Sequence, residues 1–463
     1  MLSRLWSDTA PKIDANTAQI VFLPAIIAVF ALLIVRGLLL RTRQPTQLRR
    51  IAISGPSNLT DEFHPTYDKA EDDEEQSSVR VKALCIHPLK SCQPIEVKKA
   101  LLTKTGFAYD RCFSFALEKT PGDSRLLSQR TKPGMALIKQ QLWLPHAKSD
   151  PNHENVRTGG CLIVSFSDPD PVSRIAQVKA ILEQGTLSAH PQVYFTIPLK
   201  PTTEQIDKWS LRIKPFIIRE RPATGLDFTD IPEVAAVMPK LRKLLQIPAR
   251  EILTLMACTS DTLAPTDTNL APLKHIGTPS MQCYTDEQPL HIINLPSVHA
   301  ISGLLPPENQ PLSARRFRPN IFLTGAPAFS EESWKRFRVL PRGTSSEKGA
   351  QNTPSMSVVC RTARCTMPNV DPKTGLIAYE DAPDGRKRGK PQPSTTLAEH
   401  RMVEEKQANP IALGYMGVHC VPEDSTFAFA GDGNDRGVYV EVGDEVEVFE
   451  TGNHYWGSTA NEY

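Results

Sequence analysis

Arg364 and Cys365 stand side by side in the run Val359-Cys360-Arg361-Thr362-Ala363-Arg364-Cys365-Thr366-Met367, just ahead of the turn Pro368-Asn369-Val370-Asp371-Pro372. A thiolate is a soft metal ligand, and a guanidinium beside a cysteine favours the anionic sulfur. The pair suits a transition metal carried by an anionic cofactor. Two plainer readings stand beside it. Cys360-x4-Cys365 has finger-like spacing, with His419-Cys420 as a second pair for structural zinc. Alternatively, the cysteines simply fill a core.

Four further clusters carry groups of the same kind: His87-Pro88-Leu89-Lys90-Ser91-Cys92; Tyr109-Asp110-Arg111, with Ser128-Gln129-Arg130 after it; Tyr284-Thr285-Asp286; and Arg316-Phe317-Arg318-Pro319-Asn320. Taken singly, each basic residue reads as a solvated loop charge. Gathered round a thiolate, they would form a basic pocket able to clamp a phosphate-bearing anion.

The elements that must bring them together are mostly short strands. Forty prolines in 463 residues favour turns over long helices. Val81–Ile86, Ile95–Leu102, Cys112–Leu117 and Ala136–Leu144 read as strands, at a spacing that suits a barrel or sandwich. Val438–Val442 and Glu445–Phe449 alternate around Gly443-Asp444 and read as a hairpin. One helix is expected to carry Val234, Val237, Met238, Leu241, Leu244 and Leu245, kinked or divided at Pro239. A second, capped by Ser297, carries Val298, Ile301 and Leu305. Stretches at about 145–160, 341–356 and 383–395 read as loosely ordered insertions.

Ile20–Val35 is apolar without interruption; continued through Arg36 to Leu40 it is long enough to cross a bilayer. Arg36, Arg41, Arg43, Arg49 and Arg50 follow it, so the body is expected on the cytosolic side. The block Glu71-Asp72-Asp73-Glu74-Glu75 marks a solvated tether. Nine cysteines without framework spacing read as reduced thiols, and a net charge of +2 gives no electrostatic case for nucleic-acid binding. The organisation expected is an anchor at 1–43 (membrane span about 20–40), a disordered tether at 44–78, a β-barrel module at 79–203, a helical connector at 204–265, a second domain at 266–452 and a tail at 453–463. The fold class is β-rich mixed α/β with a few helices, preceded by one transmembrane helix.

The series HPLKSC, YDRCF with SQR, RFRPNIFLTG, CRTARCTMPNVDPKTG and VEVGDEVEVF resembles the MOSC family in order and spacing, from about Val81 to Phe449. Within it the likeness is to the mitochondrial amidoxime-reducing component, in its fungal form. The resemblance implies an N-terminal β-barrel module followed by a MOSC β-barrel domain. It implies a molybdenum pyranopterin (molybdopterin) cofactor with Cys365 as catalytic residue and metal ligand. Lys90, Ser91, Arg111, Asp286, Arg318, Asn320 and Arg364 would contact that cofactor. It also implies small N-hydroxylated substrates, reduced with electrons from NADH through cytochrome b5 reductase and cytochrome b5. The location it implies is the outer mitochondrial membrane, with the endoplasmic reticulum as alternative.

The sequence departs from the family pattern in places. The family often has two cysteines three apart where Cys360 and Cys365 are five apart, so Cys360 is not assigned to the metal. His87 replaces an aromatic residue and is read as structural. Ala412-Leu413-Gly414-Tyr415 replaces an aromatic-Gly segment near the substrate mouth. MOSC domains also close molybdenum cofactor sulfurases, behind a pyridoxal-phosphate domain for which the stretch before Val81 has no room. A cofactor-binding or sulfur-carrier protein without reductase turnover is the alternative function.

Overall fold

The computed structural model describes residues 44–68, 78–343, 353–382, 388–404, 414–428 and 437–457. Eight strands form one sheet in the order Ile321–Thr324, Leu290–Asn294, Gly414–Pro422, Ser355–Arg364, Trp334–Leu340, Glu445–Thr451, Arg80–Ile86 and Ile95–Val97. A further pairing, Ile321 opposite Leu84 and Phe322 opposite Ala83, closes the first seven into a barrel. The strand Arg80–Ile86 is buried on both faces. Leu84 and Ile86 join the main core, while Ala83 and Cys85 join a second cluster with Ile293, Phe317 and Phe322. That explains its near-continuous apolar sequence.

A second closed barrel is formed by Ile213–Ile218, Arg221–Asp227, Ile252–Ala257, Phe113–Thr120 and Asp123–Leu126. Among the described residues three smaller sheets remain, the shortest pairing Ala264–Pro265 with Met281–Gln282. Another pairs Val438–Glu441 with Lys99–Thr103 and Gly106–Phe107. The third runs Leu48–Ile51, Lys139–Pro145, Cys161–Ser167, Gln192–Pro198. The fold is thus β-rich mixed α/β, as expected.

Several expectations are corrected. The stretch 204–265 is no helical connector: it supplies three staves of the smaller barrel, besides the helix Pro232–Leu244. That helix runs unbroken through Pro239. Pro239 and Ala235, whose carbonyl loses its partner, are both exposed, so water can satisfy the freed oxygen. Ser297 does not cap the second helix, Leu295–Ser302, which Asn294 precedes; its hydroxyl instead donates to the buried Glu331 carboxylate at 2.8 Å. Ile95–Leu102 divides at Lys98 into strands of two sheets. The segments around Gly443-Asp444 are strands but not a hairpin. Val438–Glu441 pairs with Lys99–Thr103, and Glu445–Thr451 with Trp334–Leu340. Gly443, at φ +94°, donates its N–H to Val81 and routes the chain from one sheet to the other. The stretch 145–160 is ordered around the helix Glu154–Arg157.

The span expected at 20–40 and the acidic block at 71–75 lie outside the described residues. Among the described residues no helix is long and apolar enough to cross a membrane. Residues 44–68 of the expected tether are folded. Leu48–Ile51 pairs with Lys139–Pro145, and Leu59 is 3 % exposed among Ala83, Val298 and Phe317. The Glu62 carboxylate accepts from Ser313 Oγ (2.8 Å) and the Ala314 amide (2.9 Å). Leu59→Ala should therefore destabilise the protein by about 2–5 kcal/mol, the usual cost of emptying a buried leucine site. Urea unfolding checks this; an unchanged midpoint would return the segment to the status of a tether.

Candidate functional site

The main candidate site is built at the ends of the large barrel's strands. The chain leaving Arg80–Ile86 turns through Pro88 and is pinned by two bonds: the Leu89 amide to Gln140 Oε1 (2.8 Å) and the Lys90 amide to the Phe113 carbonyl (2.9 Å). This fixes Lys90, whose Nζ donates to the Tyr284 carbonyl (2.6 Å) and to Asp286 Oδ1 (2.8 Å). Ser91 follows at φ +65°. Arg111 is held at φ +51° by its amide bond to the His87 carbonyl (2.9 Å), and its guanidinium pairs with buried Asp110. Asp110 also accepts the His87 amide at 2.7 Å, and the His87 side chain is buried outside the cavity lining.

Arg318 ends the short 3-10 turn Ala314–Phe317 at φ +53° and leads into Ile321–Thr324. Asn320 is wholly buried. Its Oδ1 accepts from Arg111 Nη1 (3.1 Å) and the His291 amide (3.2 Å), and its Nδ2 donates to the Cys85 carbonyl (3.3 Å). Three of its four hydrogen-bonding positions are filled by protein, leaving one N–H. Arg364 closes the strand Ser355–Arg364. Its Nη2 donates to the Phe317 carbonyl (2.9 Å) and its guanidinium lies over the Phe317 ring.

Lys90, Ser91, Arg111, Asp286, Arg318, Asn320, Arg364 and Cys365, the full set singled out from the sequence, line one cavity of about 690 Å3 including its open mouth. Arg219, Glu287, His291, Thr362, Met367 and His419 also line it, and sequence reasoning did not place them there. Arg219 sits in the tight turn between two barrel strands, where a lone arginine reads as a solvated charge. His291 and His419 are direct cross-strand partners, a relation visible only once register is known. His419 Nε2 lies 2.9 Å from the Glu287 carboxylate.

The lining includes five cations, Lys90, Arg111, Arg219, Arg318 and Arg364, against the two carboxylates Asp286 and Glu287. Burial drops the Lys90 pKa to about 8, although Asp286 opposes the shift. Burial, reinforced by Arg111, lowers Arg318 to about 10; burial, with a smaller push from Arg219, outweighs Cys365, Glu287 and Asp286 to bring Arg364 to about 10. Burial pushes the Asp286 carboxyl up, but Lys90 and Arg219 outweigh it and hold the group well below the usual range. Four buried polar atoms of the lining, Ser91 Oγ, Thr285 Oγ1, Thr362 Oγ1 and Arg364 Nε, have no hydrogen-bond partner among the described residues. Buried polar groups are rarely left unpaired, so the cavity is made for an anion that also offers hydrogen-bonding edges.

Cys360 is not part of this site. Val359 and Cys360 both fall in a small apolar cluster with Ala271, Ile276 and Val421, and burial pushes the Cys360 thiol well above its ordinary value. Cys420 joins the main core, also as a thiol raised by burial. Cys360 and Cys420 therefore lie buried among apolar residues, not beside Cys365 as a zinc site requires. Among the described residues no group of three or more His, Cys, Asp or Glu is placed to hold a metal by itself.

Comparison with known proteins matches residues 78–168 to the MOSC N-terminal beta barrel domain and residues 279–447 to the MOSC domain. The chain is also similar to a molybdenum cofactor sulfurase of Oryza sativa subsp. japonica. The two are 22% identical over 377 residues, which is 80% of this chain and 35% of that protein. The chain thus spans about a third of that relative's length.

Lys90 gives the cavity a pH signature. Its charge is present below about pH 8 and lost above it, so anion affinity must fall as pH rises. Sulfate, whose own charge is constant in this range, should bind about tenfold more weakly at pH 9 than at pH 7. Lys90→Met should remove the pH dependence. Calorimetric titration checks both; a flat profile in the wild-type chain would count against a charged Lys90 in the site.

Proposed function

The chain belongs to the MOSC family, joining its N-terminal β-barrel to its MOSC domain, and from that premise we propose a molybdenum-cofactor-dependent oxidoreductase. It reduces N-hydroxylated compounds, such as amidoximes and hydroxylamines, to the parent amidine or amine. The observation that carries this reading is the sharing of one cavity by Cys365, five cations and several polar atoms without hydrogen-bond partners among the described residues.

The residues present fit a pyranopterin molybdenum cofactor. Its phosphate suits Lys90 and the arginines Arg111, Arg219 and Arg318, which can clamp oxygens in pairs. Its polar pterin edge suits Ser91, Thr285, Asp286 and the remaining Asn320 N–H. A thiolate from Cys365 is the soft ligand that molybdenum takes from protein. When bound, the cofactor supplies a centre that exchanges two electrons and takes up an oxo or hydroxo group.

The chain's own part is positioning and proton supply. Reducing an N–OH group to N–H consumes two electrons and two protons and releases water. His419 Nε2, beside the Glu287 carboxylate, is placed to hold a proton at the cavity wall. Arg364 is braced by the Phe317 carbonyl and ring, and so positions the adjoining Cys365.

Electrons come from NADH through cytochrome b5 reductase and cytochrome b5. The span at 20–40 anchors the protein in the outer mitochondrial membrane, with the endoplasmic reticulum as alternative, and raises the effective concentration of membrane-held donors. Deleting residues 1–43 should release the protein from membranes and leave activity with soluble donors intact. Membrane fractionation tests this, and persistent attachment would refute the anchor.

A second reading is supported by the similarity to a molybdenum cofactor sulfurase: the chain binds the cofactor, or handles its sulfur, without turnover. One experiment separates the two. The purified chain should contain molybdenum and support NADH-coupled reduction of benzamidoxime. Cys365→Ser should lower that activity at least about a hundredfold, since losing even a group that supports a metal ligand costs about 10–100-fold. Molybdenum without reduction favours the carrier, and stoichiometric zinc without molybdenum sinks both readings.

A further inference from the structure

Three cysteines outside the cavity wall are drawn together where the smaller barrel meets it. Cys258 is the first residue beyond the strand Ile252–Ala257, and its amide donates to the Cys112 carbonyl at 2.8 Å. One residue upstream of Cys112, the Arg111 carbonyl accepts the Tyr284 amide at 3.1 Å, which brings Cys283 to the same place. The Cys258 and Cys283 side chains lie beside each other, each the first influence on the other's thiol. Thr262 Oγ1 donates to Cys258 Sγ at 3.7 Å. Arg221 reaches over the group, donating to the Cys283 carbonyl (3.5 Å) and the Thr285 carbonyl (3.3 Å). Both cysteines are half-buried, and both lie in irregular backbone that can adjust to disulfide geometry.

We propose that Cys258 and Cys283 form a redox-active dithiol that hydroperoxides close into a disulfide, a modification site behind the Lys90–Asp286 wall of the cavity. The two sulfurs are electronically unlike. The neighbouring Cys283 lowers the Cys258 thiol below its ordinary value; burial opposes this, while Thr262 and Arg221 support it. Cys283 is pushed well above its ordinary value by the neighbouring Cys258 and by burial. The more anionic sulfur is the attacking one and the other resolves. Cys258 attacks the peroxide: an S–O bond forms, the O–O bond breaks, and one water leaves when hydrogen peroxide is the oxidant. Cys283 then attacks the sulfenic sulfur: the S–S bond forms, the S–O bond breaks and a second water leaves. Two thiols and one peroxide thus give one disulfide and two waters.

Cys112 is a bystander. Burial raises its thiol well above the ordinary value, and its Sγ–H is directed at the Tyr109 carbonyl, 3.4 Å away. The inference does not depend on the molybdenum reading, because none of the three cysteines lines the cavity. The site is nonetheless coupled to it. Cys283 is followed by Tyr284, Thr285 and Asp286, and the Tyr284 carbonyl and Asp286 carboxylate are the two acceptors of Lys90.

The test treats the full chain with one equivalent of hydrogen peroxide, alkylates free thiols, and digests it without reduction. Mass spectrometry should find Cys258 joined to Cys283, and dithiothreitol should abolish the link. In Cys283→Ser, dimedone should trap a sulfenic acid on Cys258 about tenfold faster than on Cys112. In Cys258→Ser, Cys283 should stay a thiol. A Cys112–Cys258 link, oxidation confined to Cys365, or nine thiols all still alkylated would overturn the proposal. The wild-type link decides the matter even if a variant fails to fold.

Discussion

The side-chain amide of Asn320 joins the closing seam of the large barrel to the cavity beside it. It spans three segments at once, bonded to Cys85 on one strand, His291 on a second and the Arg111 guanidinium between them. The strand that follows it, Ile321–Thr324, closes the barrel by lying parallel to Leu290–Asn294 and antiparallel to Arg80–Ile86. Lys90 lies four residues beyond the end of one stave, and Arg318 three residues before another. His291 sits on a third, and Arg364 ends a fourth. Their relative positions are therefore set by barrel closure rather than by loops. A partner lost at Asn320 would leave buried groups on two strands unpaired, the expensive kind of hydrogen-bond loss.

Closure also forces charges into the interior. Lys90, Arg318 and Arg364 all lie below their ordinary pKa values because burial penalises the cation. Ser91, Arg111 and Arg318 adopt left-handed backbone at φ +65°, +51° and +53°, where a side chain costs of order 1 kcal/mol. Asp110 and Asp286 offset part of the charge, and both stay ionised because cations face them. The surplus is positive and held rigidly in advance. Such an arrangement costs stability when alone and favours an anion that reaches all the cations together.

How much of this was legible in the sequence follows from how local each feature is. Lys90-Ser91, Arg318-Pro319-Asn320 and Arg364-Cys365 are short runs of unusual composition beside β-like segments, so each could be picked out before any contact was known. Gly443-Asp444 was legible as a turn, but not the fact that its two strands join different sheets; that is decided by Lys99–Thr103 and Trp334–Leu340, hundreds of residues and about a hundred residues away. The barrel strands between 213 and 257 were hidden behind the clearer helical period of Val234–Leu245. Residues 44–68 looked like a continuation of the acidic tether because Leu59 is one buried residue in a polar stretch. The pairing of His419 with Glu287 and its place opposite His291 depend on register, and on Gly417 at φ +75°.

The contrast between Cys360 and Cys365 has the same origin. In a regular strand residues five apart face opposite sides, while Val359 and Cys360 would also face apart. The register between the strands Ser355–Arg364 and Gly414–Pro422 instead slips between Val358 and Cys360, and again between Arg361 and Ala363. The first slip leaves Val359 and Cys360 in the same apolar cluster, while Val358 remains in the main core. At the second, Gly417 sits where a Cβ would come within 2.4 Å of the Ile292 carbonyl oxygen and 2.8 Å of His291 Nε2. A bulge is a device for re-aiming side chains along a strand. Here two of them, a few residues apart, place one cysteine in an apolar cluster and deliver the other, with its arginine, to the cavity. Finger-like spacing made the two cysteines look like partners; strand alternation already points them apart, and the slips in the ladder put Cys360 with Val359 in the apolar cluster.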